Sequence, residues 1–192
     1  MPRLVLASTS TFRRELLEKL QISFETASPD CDEVPLAGES PSETAERLAH
    51  AKAFSIATDF PNSLIIGSDQ VAFIGTEIYG KPGTNVAAAE QLRRMRGREI
   101  CFHTGLCLLN TATGDARRAG VSTVVGFRKL SDLDIERYLE REDARNCAGS
   151  AKSEGLGIAL LDYIRGDDPN ALIGLPLIAL CTMLRHEGIS VP

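Results

Sequence analysis

Residues 4–20 read LVLASTSTFRRELLEKL and connect a short apolar run to a helical pattern through a small polar loop. The apolar residues 4–7 predict a buried β-strand, and the spacing of Phe12, Leu16 and Leu20 predicts a helix. A helix that begins directly after a strand directs its free backbone N–H groups toward the loop, where they can bind an anion. This segment therefore predicts an α/β fold with an anion-binding loop.

Outward from this segment, strand and helix patterns alternate along the chain. Ser40, Thr84 and Ser131 stand where N-cap residues begin helices. Because no repeat, linker or change in composition interrupts the alternation, we expect one α/β domain over residues 1–192, with two lobes. The patterns predict strands at residues 24–27, 64–68, 100–109, 119–127 and 157–161, a hairpin at 71–79, a flexible polar loop at 149–155 and a last helix at 176–186.

The composition is typical of a globular protein, with 43% hydrophobic and 24% charged residues. The net charge of −5 makes a nucleic acid or a membrane surface an unfavourable partner. The apolar runs are too short to span a bilayer, and the first residues lack the apolar core of a secretory signal. We therefore expect a cytoplasmic protein.

The cysteines and histidines show no pattern of a metal site. Five cysteines are scattered without a C-x-x-C pair, and three histidines lack ligand spacing. We expect the cysteines to be reduced thiols, as is usual in the cytosol.

The first helix carries the polar residues that would bind an anion. Ser8, Ser10, Arg13 and Arg14 combine hydroxyl groups, backbone amides and guanidinium groups, which suit a phosphate or polyphosphate. The alternative is a serine N-cap beside arginines that are simply exposed to solvent.

Three acidic residues are candidates for a metal site. Asp32 and Glu33 lie in a predicted loop, and Asp69 follows the predicted strand 64–68. Carboxylates in such positions suit Mg²⁺, which usually binds one or two protein carboxylates and the phosphates of its substrate. The alternative is that these acids are solvated, which we prefer for Asp32. Asp69 is expected near a buried sheet edge, where a carboxylate needs a partner.

Two lysines could add positive charge to the same site. Lys52 lies on a predicted helix among apolar residues, and Lys81 lies between Gly80 and Pro82. Either could extend harmlessly into solvent. With Arg13, they could also neutralise a triphosphate and stabilise a departing pyrophosphate. No Walker loop and no nucleophile motif is present, so metal-assisted attack by water is the reaction class that remains.

In this order along the chain, the motifs resemble the Maf family of nucleotide pyrophosphatases, and the resemblance covers nearly all of the sequence. The motifs are Leu6-Ala7-Ser8-Thr9-Ser10, Arg13-Arg14-Glu15-Leu16-Leu17, Asp32-Glu33, Ala51-Lys52-Ala53, Gly67-Ser68-Asp69-Gln70, Gly80-Lys81-Pro82, Cys147-Ala148-Gly149-Ser150, Lys152-Ser153-Glu154-Gly155 and Gly174-Leu175-Pro176.

The resemblance implies a fold like that of inosine-triphosphate pyrophosphatases, with a long mixed β-sheet flanked by helices and two lobes around a cleft. It also implies hydrolysis between the α and β phosphates, a divalent cation such as Mg²⁺ or Mn²⁺, and a possible homodimer. Asp69 would accept a proton. The phosphate and metal site would be lined by Ser8, Arg13, Glu33, Lys52 and Lys81, with Glu33 and Asp69 as metal ligands.

The residues Phe12, Gln70 and Glu154 resemble those of the family branch that hydrolyses 7-methyl-GTP. The methylated base is cationic, so an aromatic face attracts it and the Glu154 carboxylate can accept its N–H groups. This branch often has tryptophan where Phe12 stands, and Phe12 could instead be a core residue of the helix. A broader non-canonical nucleotide pyrophosphatase and a non-catalytic regulator of cell division remain alternatives.

Overall fold

The structure is a computed structural model that describes residues 2–191. Within these residues it contains seven strands and five α-helices. The strands are β1 (Arg3–Ala7), β2 (Glu25–Ala27), β3 (Ser63–Ile74), β4 (Glu77–Ile78), β5 (Glu99–Asn110), β6 (Ala116–Phe127) and β7 (Leu161–Arg165). The helices are α1 (Thr11–Glu18), α2 (Pro41–Ser55), α3 (Asn85–Met95), α4 (Asp132–Leu139) and α5 (Leu177–His186).

The strands form one mixed sheet in the order β2-β1-β3-β5-β6-β7, and β4 pairs with β3. Strand β1 is parallel to both β2 and β3, whereas β4 is antiparallel to β3 and β7 is antiparallel to β6. The prediction of an α/β protein with a long mixed sheet flanked by helices is confirmed. The β3–β4 pairing also confirms the predicted hairpin.

The chain divides into two compact units, and the first contains the residues up to Gln70, Thr104–Val121 and the residues from Asp168 onward. The sheet in this unit is apolar on both faces. One face packs against α1 and α5 through leucines such as Leu17 and Leu180. The opposite face packs against α2 through Ala49, Ala53 and their neighbours. Both faces are covered, so the strand residues between them are buried.

The second unit contains Val71–His103 and Ser122–Asp167. Its helices α3 and α4 contact each other. Thr84 and Ser131 cap these two helices as predicted, since each side chain accepts a hydrogen bond from a backbone N–H in the first turn.

Helix α2 lies unusually close to the sheet because glycines face it. A Cβ atom on Gly67 of β3 would lie 2.1 Å from the carbonyl oxygen of Ala49. A Cβ atom on Gly105 of β5 would lie 2.4 Å from the carbonyl oxygen of Ala45. Both distances are far inside van der Waals contact, so only glycine permits this approach. Small residues on the facing surfaces of α2 and the sheet thus set the distance of α2, and of its residue Lys52, from the strands.

Two predicted elements are wrong in their bounds. Strand β3 does not end at residue 68 but continues through Asp69 and Gln70 to Ile74, so Asp69 lies within a strand. Residues 157–161 do not form a strand, because Leu156–Leu160 is a 3-10 helix and strand β7 begins at Leu161. In β3, the polar side chains of residues 68–70 are paired through tertiary contacts, so the strand continues through them.

The membrane and cysteine predictions can be compared with the described part of the chain. Among residues 2–191, no helix combines the length and apolar character needed to cross a membrane. All five cysteines are free thiols, as predicted.

Candidate functional site

The loop between β1 and α1 is built by two serines. The Oγ atom of Ser8, which is buried, accepts a hydrogen bond of 3.1 Å from the backbone N–H of Ser10. Ser10 is the N-cap of α1, and its Oγ accepts from the backbone N–H of Arg13 at 3.4 Å. The predicted N-cap is therefore present. The two hydroxyl groups order the loop at the positive end of the helix dipole, where an anion is favoured.

Arg13 is anchored at one nitrogen atom. Its Nε donates a hydrogen bond of 2.8 Å to the carbonyl oxygen of Gly174. Within residues 2–191 the guanidinium makes no other hydrogen bond, so Nη1 and Nη2 can donate to a ligand. Burial lowers the pKa of Arg13, while the nearby carboxylates of Asp69 and Glu33 act in the opposite direction. The guanidinium thus shares one electrostatic environment with both acids.

Lys52 joins the two predicted acidic residues. Its Nζ lies 2.5 Å from Oδ1 of Asp69 and 2.7 Å from Oε1 of Glu33. The side chains of Lys52 and Asp69 are only 9% and 12% exposed, whereas that of Glu33 is 63% exposed. The structure therefore brings together Arg13, Glu33, Lys52 and Asp69, four of the residues predicted to act on a triphosphate.

Ser68 and Gln70, the residues on either side of Asp69, do not contact Lys52 but other parts of the chain. The hydroxyl of Ser68 lies 2.8 Å from the carbonyl oxygen of Gly105 and 3.0 Å from that of Gly174. Nε2 of Gln70 lies 2.9 Å from the carbonyl oxygens of both Ala171 and Leu172. Side chains alternate along a strand, so Ser68 and Gln70 share one face of β3 and Asp69 points to the other.

Residues 171–174 form a tight turn, called here the 171–174 turn, that consists of the 3-10 helix Ala171–Ile173 and Gly174. Gly174 has a φ of +120°, a region that favours glycine. Thr104 also binds this turn, since its hydroxyl donates to the Ala171 carbonyl oxygen at 2.8 Å and accepts from Gln70 Nε2 at 3.0 Å.

No function of Ser68, Thr104 or Gly174 is predicted from the sequence. Ser68 and Gly174 do lie inside motifs of the family resemblance, which could have singled them out. Nothing in the sequence pattern singles out Thr104.

Lys81 belongs to the second unit, where it is exposed on a loop before α3. The loop is held on both sides of the lysine. The carbonyl oxygen of Gly80 accepts from Nε2 of Gln91 at 3.1 Å, and the backbone N–H of Gly83 donates to the Arg145 carbonyl oxygen at 3.0 Å. These two hydrogen bonds hold the loop that carries Lys81; its part in phosphate binding stays a prediction.

Glu154 also belongs to the second unit and is exposed. The chain around it is more ordered than the predicted flexible loop. Glu142 accepts from Nζ of Lys152 at 2.9 Å and from the backbone N–H of Leu156 at 3.0 Å. These two bonds hold both sides of the turn that carries Glu154, and they lower the pKa of Glu142. The hydroxyl of Tyr138 adds a third contact, accepting from the Lys152 backbone N–H at 3.0 Å.

Phe12 is half-buried in the first turn of α1, whereas Leu16 and Leu17 on the same helix are buried. Phe12 is therefore not part of the fully buried core, which was the alternative to a role in substrate binding. Its contact with a base stays a prediction, as do those of Gln70 and Glu154.

The cluster in the first unit can bind an anionic ligand and hold a carboxylate for proton transfer. Arg13 and Lys52 supply positive charge, the serine loop supplies a helix N-terminus, and Asp69 supplies a buried carboxylate. Among residues 2–191, no group of three or more His, Cys, Asp or Glu side chains is arranged to hold a metal ion by itself.

Comparison with known proteins gives a family match and several close relatives. Residues 3–187 match the family model described as Maf-like protein. A protein of Aromatoleum aromaticum named 7-methyl-GTP pyrophosphatase is 57% identical over 190 residues, which cover 99% of this chain and 98% of that protein. A protein of the same name from Methylobacillus flagellatus is 54% identical over 191 residues and covers 100% of both chains.

Solved structures are more distant. The structure of the Staphylococcus aureus Ham1 protein aligns with a TM-score of 0.48 and 16% identity, and it covers 66% of this chain and 72% of that chain. A HAM1 protein from Coxiella burnetii aligns with a TM-score of 0.47 and 15% identity, and it covers 68% of this chain and 75% of that chain.

Proposed function

Because this chain belongs to the Maf-like protein family, we propose that it is a nucleotide pyrophosphatase that hydrolyses 7-methyl-GTP to 7-methyl-GMP and diphosphate. The observation that carries the proposal is the similarity to relatives of that name, at more than half identity over nearly the whole length of both chains. The charged cluster around Lys52 supports it, because the cluster has the groups that such a reaction needs.

The triphosphate is bound by positive charge and by the serine loop. Nη1 and Nη2 of Arg13 donate to phosphate oxygens in the forked geometry that guanidinium groups favour. The α1 N-terminus, ordered by Ser8 and Ser10, adds backbone N–H groups. Lys81 supplies a further positive charge that stabilises the departing diphosphate.

Asp69 is the general base. Lys52 holds Oδ1 of its carboxylate at 2.5 Å, which fixes the orientation of the group and leaves Oδ2 to accept the proton. Water attacks the α-phosphorus and transfers its proton to Oδ2, while the bond from the α-phosphorus to the bridging oxygen breaks. The electron pair of that bond leaves with the diphosphate, whose charge Arg13 and Lys52 help to neutralise.

Glu33, together with the oxygen of Asp69 that does not accept the proton, would hold a Mg²⁺ or Mn²⁺ ion. Both carboxylates reach one cationic atom, Nζ of Lys52, so both lie beside a single centre of positive charge. Two carboxylates suit a Mg²⁺ ion that completes its coordination with water and substrate phosphates. Such an ion would supply Lewis-acid stabilisation of the phosphate charge. We expect chelation to abolish turnover and added Mg²⁺ or Mn²⁺ to restore it.

Recognition of the methylated base is assigned to Glu154 and Phe12. The methylated guanine is cationic and carries an N–H group beside an exocyclic amine, so a carboxylate can accept two hydrogen bonds from it. An aromatic ring attracts the same base by cation–π interaction. The hydrogen bonds on both sides of Glu154 support this role, since a backbone segment that is already held loses less entropy on binding.

The primary test is kcat/KM for 7-methyl-GTP, GTP, dTTP and UTP, measured side by side with Asp69→Asn. We expect 7-methyl-GTP to be preferred and kcat of the variant to fall by at least about 100-fold, because it loses the proton acceptor. Saturable binding without diphosphate release would instead indicate a non-catalytic regulator. Near-normal turnover by Asp69→Asn would remove Asp69 from the mechanism.

Substrate preference is tested with Glu154→Gln, since the amide keeps the shape of the side chain but loses its charge. We expect kcat/KM to fall for both nucleotides, because both bases present the same N–H groups, and the ratio of kcat/KM for 7-methyl-GTP over GTP to fall by about tenfold, because only the methylated base is cationic. Asp143→Asn, a neighbouring acidic residue that pairs with Arg145, is the control and should leave the ratio unchanged. An unchanged ratio in Glu154→Gln would favour a broader purine or non-canonical nucleotide pyrophosphatase.

The proposed setting is cytoplasmic, with a free nucleotide as the substrate and a homodimer as the assembly. Sedimentation of the purified chain across a range of concentrations measures the assembly directly.

A further inference from the structure

The polar side chains at the centre of β3 face two different parts of the protein. Asp69 faces α2 and contacts Lys52, whereas Ser68 and Gln70 face the 171–174 turn. On the second face, Ser68 contacts the carbonyl oxygen of Gly174, which also accepts the hydrogen bond from Nε of Arg13. Gln70 contacts Ala171 and Leu172 of the same turn.

We propose that Gln70 and Ser68 are positioning residues that set the Arg13 guanidinium through the 171–174 turn. For catalysis this rests on the proposed function, because Arg13 is assigned there to the triphosphate. For binding of an inorganic phosphate ligand it stands by itself.

The hydrogen bonds that the side-chain amide of Gln70 makes within the protein support this role. Nε2 has two hydrogen atoms and faces three acceptors, the Ala171 and Leu172 carbonyl oxygens at 2.9 Å and the Thr104 hydroxyl at 3.0 Å. Its donor capacity is therefore used entirely within the protein. A base that needed a donor from Gln70 would break contacts that hold the turn.

The Ser68 hydroxyl supports the same role from the other end of the turn. Ser68 is fully buried and lies 3.0 Å from the Gly174 carbonyl oxygen. This carbonyl would otherwise be fixed only by the backbone of a residue with a φ of +120°. Since Gly174 has no side chain and its carbonyl meets both Ser68 and Arg13, the serine sets the position at which Arg13 Nε is held. Nη1 and Nη2 are thereby placed for the phosphates.

The test measures the affinity for phosphate groups separately from the selectivity for the base. Isothermal calorimetry with inorganic pyrophosphate reports phosphate binding without a base. We expect Gln70→Ala and Ser68→Ala each to raise the Kd for pyrophosphate by about fivefold, the usual effect of losing one buried hydrogen bond. The ratio of kcat/KM for 7-methyl-GTP over GTP should stay at the wild-type value in Ser68→Ala, because the Ser68 side chain is fully buried.

A double-mutant cycle separates positioning from a general loss of stability. On an Arg13→Ala background, Gln70→Ala should have almost no further effect on the Kd for pyrophosphate, because the residue through which it acts is gone. Additive losses would overturn the proposal, as would a change in the 7-methyl-GTP to GTP ratio in Ser68→Ala. If Gln70→Ala does not fold, Ser68→Ala provides the same cycle.

Asn110→Ala is the matched control, since its amide also ties a strand to the C-terminal segment, by a 2.8 Å hydrogen bond to Glu187, without reaching Arg13. It should leave the Kd for pyrophosphate unchanged. Wild-type affinity in both Gln70→Ala and Ser68→Ala would overturn the proposal. If the wild-type chain binds pyrophosphate but does not hydrolyse 7-methyl-GTP, the proposed function fails while the positioning role can still be measured.

Discussion

At the scale of single residues, the site depends on a lysine that is buried between two acids. Lys52 is only 9% exposed at its side chain, and it contacts Asp69 and Glu33 at once. A buried charge is stable only if it is paired, so removing the lysine would leave Asp69 without compensation. The same contact that prepares Asp69 for catalysis therefore also keeps it compatible with folding.

We expect Lys52→Met to lower the free energy of unfolding by about 3 kcal/mol, because it breaks a buried pair from one side. The double variant Lys52→Met/Asp69→Asn should recover most of this loss while remaining inactive. Urea denaturation monitored by circular dichroism measures both. The exposed Lys129→Met is the control and should change stability by no more than about 0.5 kcal/mol. A double variant as unstable as Lys52→Met would contradict a role for the pairing.

Sequence reasoning selected charged residues that the structure brings together, and it failed to predict how they pair. Asp69 follows an apolar run and was expected near a buried sheet edge, whereas Lys52 was expected either in the charged site or extending into solvent. Their contact joins residues 17 positions apart, and the contact of Arg13 with Gly174 joins residues 161 positions apart. Local spacing carries no information about such pairs, which arise only when the elements pack.

At the scale of elements, the approach of α2 to the sheet determines whether Lys52 can reach Asp69. Gly67 and Gly105 lie beneath α2 with no room for a side chain. The start of α2 was predictable, since Ser40 is the expected N-cap residue, and in the structure it forms a capping box with Glu43. The end of β3 was not, because the polar residues at 68–70 are paired through tertiary contacts and so continue the strand.

We expect Gly67→Ala to lower both stability and activity, because its Cβ would meet the Ala49 carbonyl oxygen at 2.1 Å and push α2 away from β3. A clash with backbone cannot be relieved by a rotamer change, and overpacking of this kind costs about 1–3 kcal/mol. At a temperature where the variant is still folded, kcat should fall more than KM rises, since Lys52 and Asp69 separate. Wild-type kcat in folded Gly67→Ala would show that the height of α2 does not matter.

At the scale of the whole molecule, the first unit is assembled from three separate stretches of chain. Arg13 and Asp69 come from the first stretch, Thr104 from the second and Gly174 from the third. Contacts between distant residues form late in folding, because the loops that they close cost entropy before the contacts stabilise them.

We therefore expect activity to return with the slowest phase when the unfolded chain is diluted from urea, after most of the helical circular dichroism has recovered. Stopped-flow circular dichroism and timed assays of diphosphate release on the same sample compare the two. Recovery of activity together with the earliest signal would contradict this order.

The alternation of Ser68, Asp69 and Gln70 along β3 has a consequence for how the protein can change. Removing or adding one residue upstream in this strand would exchange its faces, so that the Asp69 carboxylate would face the 171–174 turn. Gln70, after a removal, or Ser68, after an addition, would then face Lys52. The number of residues in β3 is therefore constrained more tightly than the type of residue at each position. Insertions that preserve function are expected beyond Ile74, at the β3–β4 hairpin. A change in the number of residues there does not alter which side chains of β3 face Lys52 or the 171–174 turn.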